Sequence, residues 1–120
     1  MCIRDRDGYF IGKNLDQYYP DIDCVFCVSD SPAFGLLTAL QERGIKVPND
    51  VGVAGFGNFE VSRYAVPSIT TVMVDPAEVG RVAAELVIRL LDSDIERRKE
   101  PKKNPIEISL SMRDSTRLVK

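Results

Sequence analysis

The stretch CVFCVSD, residues 24–30, decides the predicted fold. Its first five residues, Cys24–Val28, form an uninterrupted apolar run of strand length, which is typical of a parallel strand buried on both faces. Ser29 or Asp30 can cap a helix, and Pro32 then falls in the first turn, where proline is tolerated. A buried strand that leads straight into a helix is the repeating unit of a parallel α/β sheet.

The remaining elements extend this unit along the chain. Apolar runs and alternation predict further strands over Val51–Gly55, Ile69–Val74 and Ile106–Leu110. Helices are predicted over residues 8–18, from about Asp30 to Arg43, and from Pro76 to about Leu91. The last strand alternates polar and apolar residues, so it should be half-exposed or lie at an edge. The order α-β-α-β-β-α-β favours the α/β class, with a mainly parallel sheet flanked by helices.

Both long helices carry end signals and an apolar stripe. The first should stop at Gly44, and the second should start at an Asp75 cap followed by Pro76 and Glu78. The stripe of the first is Ala33, Leu36, Leu37 and Leu40, and that of the second is Val79, Val82, Ala83, Leu86 and Leu90. Phe34 lies about 100° off its stripe. It is either an aromatic at the edge of the core or a residue that faces a partner.

Composition excludes several kinds of site. The chain has 120 residues, a net charge of -2 and no histidine. The charge argues against a nucleic-acid surface, and the lack of histidine excludes His-based nucleophile pairs and His-ligated metals. No apolar run reaches membrane-spanning length. Three cysteines without a disulfide-like spacing suggest a reducing, cytoplasmic setting.

Two short motifs are interpreted as structural. In the pair Cys24-x-x-Cys27, residues i and i+3 of a strand point to opposite faces, so the thiols diverge and are expected to be buried packing residues. Gly55-Phe56-Gly57 follows a strand, but Glu60 stands where a third glycine would fall and no helix clearly opens there. A dinucleotide phosphate site is therefore not expected. No catalytic residue, metal or cofactor is predicted.

The two ends of the chain are expected to differ from the domain between them. Residues 1–6, MCIRDR, resemble the translation of a sequencing-library adapter, so the segment is predicted to be an artefact on a truncated gene, and a real start codon is the alternative. Residues 7–116 form the predicted domain, and 117–120 a tail. The mixed charges of residues 92–105 predict a solvated loop rather than a nucleic-acid patch.

Ligands of parallel α/β sheets bind at the carboxyl ends of the strands. Here those ends offer Ser29-Asp30, Gly57-Asn58 and Val74-Asp75. Asp30 and Asp75 could instead serve only as helix caps. Hydroxyl and amide groups both donate and accept hydrogen bonds, which suits hydroxyl-rich ligands such as sugars. With no nucleophile–base pair evident, the pattern favours a binding domain over an enzyme.

Several segments together resemble one known family. In order they are residues 25–30, VFCVSD; 33–35, AFG; 42–51, ERGIKVPNDV; 55–56, GF; 68–72, SITTV; Gly80 with Ala83-Ala84; and 112–116, MRDST. This series is similar to the C-terminal lobe of the effector-binding domain of lactose-repressor-type (LacI/GalR) transcription regulators. The resemblance implies a fold like periplasmic sugar-binding proteins, with two lobes that clamp a small-molecule effector. It also implies a cytoplasmic homodimer that binds operator DNA through an N-terminal helix-turn-helix absent from this chain.

The resemblance also assigns residues to surfaces. Effector contacts are expected from Ser29, Asp30, Gly57 and Asn58, and dimer contacts from Phe34, Arg63 and Tyr64. Gly57 stands where sugar- and purine-sensing members typically have Asp. A carboxylate there would repel an anionic ligand, and Gly-Phe-Gly is similar to regulators of gluconate-type sugar acids. The expected effector is therefore a sugar or sugar acid. The alternative is a solute-binding protein of a transporter, which shares the fold, and a dehydrogenase fragment is a more distant one.

Overall fold

The computed structural model describes residues 5–91 and 105–117. The helices are α1 (Asp5–Lys13), α2 (Leu15–Tyr18), α3 (Asp30–Glu42), α4 (Glu60–Tyr64) and α5 (Pro76–Leu91). The strands are β1 (Cys24–Phe26), β2 (Gly52–Phe56), β3 (Thr70–Val74) and β4 (Ile108–Ser111). The chain divides into two compact units, one of residues up to Met73 and from Leu110 onward, the other of Val74–Ser109.

The strands form one sheet in the order β1-β2-β3-β4. β1 and β2 run parallel with Cys24 opposite Gly52, and β2 and β3 run parallel with Ala54 opposite Thr70. The predicted α/β class, with a mainly parallel sheet and flanking helices, is thereby confirmed. β4 lies at the end of this strand order, as its alternating sequence indicated.

β1 differs from the prediction of a strand buried on both faces. The strand is only three residues long, and both Cys24 and Phe26 are exposed. The reason is its place at the end of the strand order, where only β2 pairs with it among the described residues. Val28, which continues the apolar run, is also exposed. An apolar run alone does not distinguish a central strand from an edge strand.

The core of the first unit forms around α3. The predicted stripe is confirmed, because Ala33, Leu36, Leu37 and Leu40 are all buried and cluster with Val53 and Ile69. The helix ends as predicted at Gly44, which has φ of +76°. The Gly44 amide donates to the Gln41 carbonyl and the Ile45 amide to the Leu40 carbonyl, as in a Schellman motif.

The helix predicted over residues 8–18 is two helices, interrupted at Asn14. The backbone of Asn14 leaves the helical region, and its side-chain amide donates to the Phe10 carbonyl at 2.9 Å. This side-chain bond competes with the helical ladder, as is common for asparagine. α1 begins at Asp5, which is earlier than predicted.

The connection after β2 contains α4, so the prediction that no helix opens there is wrong. This helix is short and begins at Glu60. Ser62 stabilises it, because its hydroxyl donates to the Phe59 carbonyl at 2.6 Å. A five-residue helix leaves little periodicity in the sequence from which to recognise it.

The second unit contains α5, whose predicted start is confirmed. Asp75 Oδ1 accepts from the amides of Ala77 at 2.9 Å and Glu78 at 3.3 Å. Arg81 forms ion pairs with Glu78 and Glu85 on the same helix. The predicted apolar stripe is not buried, since α5 has no buried residue. The charged segment predicted to be a solvated loop lies outside the described residues except for Pro105.

Candidate functional site

The carboxyl ends of β1 and β2 place two pairs of predicted site residues at one edge of the sheet. Ser29-Asp30 follows β1, and Gly57-Asn58 follows β2, which runs parallel to it. A hydrogen-bond chain joins the pairs through Thr71 of β3. The backbone amide of Asn58 donates to Thr71 Oγ1 at 3.2 Å, and Thr71 Oγ1 donates to Asp30 Oδ1 at 2.6 Å. Thr71 is fully buried, and the sequence pattern indicated only that it belonged to a strand.

Asp30 does not cap α3. It is the first residue of the helix, Ser29 occupies the cap position, and no side chain makes a cap hydrogen bond. Both carboxylate oxygens of Asp30 are used elsewhere, since Oδ1 accepts from Thr71 and Oδ2 accepts from the Phe59 amide at 2.7 Å. The side chain is fully buried. A buried carboxylate needs such partners, so the expectation of a cap is replaced by a link between α3, β3 and the segment after β2.

Gly55 makes room for this carboxylate. A Cβ at position 55 would lie 2.3 Å from Asp30 Oδ1 and 3.1 Å from its Cα. Those distances are too short for any larger residue without movement of α3. The glycine interpreted as part of a weak G-x-G pattern therefore serves close packing between β2 and α3.

Gly57-Asn58 forms a turn in the left-handed region of backbone space. Gly57 has φ of +112° and Asn58 has φ of +54°, and glycine and asparagine tolerate such values best. The ring of Phe59 lies over Gly57, so a Cβ there would be 3.1 Å from two ring carbons. An aspartate at position 57 would have to overcome both the backbone conformation and the ring.

Arg113 holds this turn from the other end of the chain. Its Nη2 donates to Asn58 Oδ1 at 2.6 Å, and its Nη1 donates to Ser62 Oγ at 2.8 Å and to the Ile69 carbonyl at 2.9 Å. Ser115, two residues further along the chain, is buried. Its hydroxyl accepts from the backbone amide of Thr70 at 2.8 Å. The sequence indicated Arg113 and Ser115 only as a terminal pattern of a family, without a role for either side chain.

The side chain of Ser29 remains available for another partner. It is half-buried, its backbone is extended, and its hydroxyl makes no hydrogen bond within the described part of the chain. Its carbonyl accepts from the Ala33 amide at 3.3 Å. Asp75, the third predicted strand-end residue, belongs to the second unit, where it caps α5.

The two cysteines of the Cys24-x-x-Cys27 motif are free thiols that differ in burial. Cys24 is exposed, contrary to the prediction that both thiols are buried, and Cys27 is half-buried. Burial raises the pKa of the Cys27 thiol to about 11, so at neutral pH it stays protonated and weakly nucleophilic. Among residues 5–91 and 105–117, no group of three His, Cys, Asp or Glu side chains could hold a metal ion. The helices of that part include none long and apolar enough to cross a membrane.

The three residues predicted for a dimer interface are all exposed. Phe34 lies on α3, and Arg63 and Tyr64 lie on α4. Gln41 of α3 donates to the carbonyl of Val66, which follows α4, and so ties the two segments together. Tyr64 is 80% and Val66 79% exposed, which is high for large apolar side chains.

The comparisons with known proteins agree with this fold. The family model described as a periplasmic binding protein-like domain matches residues 4–116. The chain belongs to this family. Solved members of similar structure include a LacI family transcriptional regulator from Silicibacter pomeroyi, with a TM-score of 0.79 and 46% identity over 95% of this chain.

Two further proteins are similar to this chain. A LacI family transcriptional regulator from Enterococcus faecium, solved with bound ribose, has a TM-score of 0.79 and 27% identity over 98% of this chain. The HTH-type transcriptional repressor PurR of Vibrio atlanticus is 43% identical over 75 residues, which is 62% of this chain. This chain covers 22% of that repressor's length, and 39% and 42% of the two solved chains.

Proposed function

We propose that the chain is the C-terminal, effector-sensing part of a LacI-family transcriptional regulator. The observation that carries this proposal is the half-buried polar edge at Ser29 and Asn58, on a fold shared with regulators over nearly the whole chain. Ligands of parallel α/β sheets bind at such an edge, at the carboxyl ends of the strands. A regulatory rather than enzymatic role is supported by relatives named as transcriptional regulators and repressors.

The residues at the carboxyl ends of β1 and β2 have different roles in this proposal. Ser29 and Asn58 contact the effector with a hydroxyl and an amide, and Gly57 belongs to the effector-facing turn that presents Asn58. Asp30 acts through position, because its buried carboxylate holds α3, β3 and the Phe59 amide together. The effector is a small sugar or sugar acid, which agrees with the ribose bound by the Enterococcus faecium regulator.

An acidic sugar is the finer proposal. Position 57 carries no carboxylate, and the carboxylate of Asp30 is buried and already hydrogen-bonded. An anionic ligand therefore meets no free negative side chain from the four proposed contact positions. Repulsion in a site of low dielectric constant would otherwise weaken its binding considerably.

The parts of the regulator beyond this chain are proposed from its relatives. Because the chain covers 22% of the PurR repressor and 39% of the Silicibacter regulator, residues 7–116 are proposed to be one lobe of a longer protein. That protein would be a cytoplasmic homodimer and would bind operator DNA through a separate helix-turn-helix. Residues 1–6 are proposed to be an adapter artefact and 117–120 a tail. The transporter alternative is not favoured, since the relatives described above are regulators.

The proposal is tested with the full-length protein and its own upstream DNA. Calorimetry measures binding of gluconate, other aldonates, ribose and glucose, and gel shifts measure whether each bound compound changes operator affinity. We expect at least one sugar or sugar acid to bind and to change operator affinity. Failure to bind DNA, together with a secretion signal at the true N-terminus, would support the transporter alternative and overturn the proposal.

A further inference from the structure

The contact between Arg113 and Asn58 determines which way the Asn58 amide points. A guanidinium has five N–H donors and no acceptor, so the atom that faces it has to be the carbonyl oxygen of the amide. The structure has this arrangement, with Arg113 Nη2 2.6 Å from Asn58 Oδ1. The usual ambiguity between the oxygen and the nitrogen of an asparagine is therefore resolved by chemistry at this position.

Arg113 is itself held in place by three groups. Besides Asn58 it donates to Ser62 Oγ and to the Ile69 carbonyl, and its own amide donates to Thr70 Oγ1 at 2.9 Å. Ser62, Ile69 and Thr70 are all buried. A guanidinium with several fixed partners cannot rotate freely, so it keeps the Asn58 oxygen engaged.

The nitrogen of the Asn58 amide is left for another partner. The side chain is half-buried, and Nδ2 makes no hydrogen bond within residues 5–91 and 105–117. The backbone amide of Asn58 is already used, since it donates to Thr71. What the turn offers a ligand is thus the N–H donors of one side-chain amide, whose carbonyl is polarised by the arginine.

We infer that Arg113 is a positioning residue that makes Asn58 a hydrogen-bond donor to the effector and so selects for an acceptor, the carboxylate of a sugar acid. Hydrogen bonds to a charged acceptor are about twice as strong as those between neutral groups. A neutral sugar hydroxyl can also accept, but it gains less from this donor. The inference rests on the proposed function and adds to it the chemistry by which an acid is chosen.

The test uses matched pairs of ligands in the full-length protein. Each pair is a six-carbon aldonate and its alditol, such as D-gluconate with D-glucitol and D-galactonate with D-galactitol, which differ only in the carboxylate. Calorimetry gives the affinity ratio of acid to alditol within each pair. We expect wild-type protein to prefer the acid in at least one pair.

Three substitutions and a control then separate positioning from structural support. Asn58→Asp keeps the contact with Arg113 but removes the donor, so acid binding should weaken about 10- to 100-fold while the alditol changes little. Arg113→Gln frees the amide to turn over, so the acid-to-alditol ratio should fall several-fold. Arg113→Lys, which still only donates, should retain most of the ratio. Arg81→Gln, on α5 with partners Glu78 and Glu85, is the matched arginine control.

The outcomes distinguish this inference from the proposed function. General damage from Arg113→Gln would lower both affinities together and leave their ratio unchanged, which overturns the positioning role. A preference of wild-type protein for alditols, or no acid bound in any pair, overturns the inference. If neutral sugars then still alter operator binding, the proposed function stands without it. An acid preference without any effect on operator DNA would leave the inference intact and count against the proposed function.

Discussion

At the residue scale, Thr71 is the group on which the geometry of the site depends. Its hydroxyl accepts from the backbone amide of Asn58 and donates to the Asp30 carboxylate, and the three residues belong to or follow different strands. Such a chain of hydrogen bonds in a buried setting is stronger than its separate members, and an unpaired member is costly. The expectation that Asp30 caps α3 was wrong, because its carboxylate accepts from partners 29 and 41 residues away.

Thr71→Val tests this dependence, since valine keeps the shape and removes the hydroxyl. It leaves Asp30 Oδ1 without its partner in a buried position, so we expect a loss of about 1–3 kcal/mol in the free energy of unfolding. Chemical denaturation of the full-length protein measures it. Thr38→Val is the matched control, because that hydroxyl only donates to Phe34 of its own helix. Equal effects of the two substitutions would show that the chain of hydrogen bonds is unimportant.

At the element scale, α1 and α3 pack closely because α1 presents glycine to α3. A Cβ at Gly8 would lie 2.0 Å from the Pro32 carbonyl oxygen, and one at Gly12 would lie 2.7 Å from the Ala39 Cβ. Arg43 strengthens the contact, because it donates to the Gly12 carbonyl at 2.8 Å and pairs with Asp16. Glycine here permits a close approach that costs some helix propensity.

Gly8→Ala should therefore destabilise the protein, although alanine is the better helix former. The added methyl group meets backbone atoms that cannot move alone, so we expect a loss of about 1–3 kcal/mol, as for other overpacked sites. Gly80→Ala is the opposite control, because a Cβ on that helical residue meets nothing within 4 Å. It should stabilise α5 by up to about 1 kcal/mol. Thermal unfolding of both variants gives the comparison, and a gain for Gly8→Ala would contradict the close contact.

The elements also show where sequence patterns suffice and where they fail. The stripe of α3, the Gly44 stop and the Asp75 cap were predictable, because each depends on spacing within one helix. The exposure of Cys24 in β1 was not, because it depends on which strand lies beside it. The role of Arg113 could likewise not be predicted, since its contact with Asn58 joins residues 55 positions apart. Local signals predict elements, whereas the site is made by contacts between them.

At the scale of the whole molecule, exposed apolar residues on α3, on α4 and directly after α4 are proposed to face a second copy of the chain. Phe34 is 38% exposed on α3, although the residues around it in that helix are mostly buried. Tyr64 and Val66 are still more exposed, and Gln41 binds the Val66 carbonyl. Exposed apolar side chains often mark association surfaces when they form one patch. We keep the prediction that Phe34, Arg63 and Tyr64 contact the partner in a homodimer.

Phe34→Glu in the full-length protein tests that surface. A glutamate buried at an interface has to lose its hydration or force the interface apart, so dimer affinity should fall at least about 10-fold. Operator binding should weaken with it, because the proposed dimer would bring two helix-turn-helix units to one operator. Sedimentation velocity measures dimer formation, and gel shifts measure operator binding.

Tyr18→Glu, at an exposed aromatic of α2, is the control for added charge. An unchanged sedimentation coefficient for Phe34→Glu at all concentrations would place the dimer contact elsewhere, whereas a lower melting temperature in both variants alike would indicate general destabilisation.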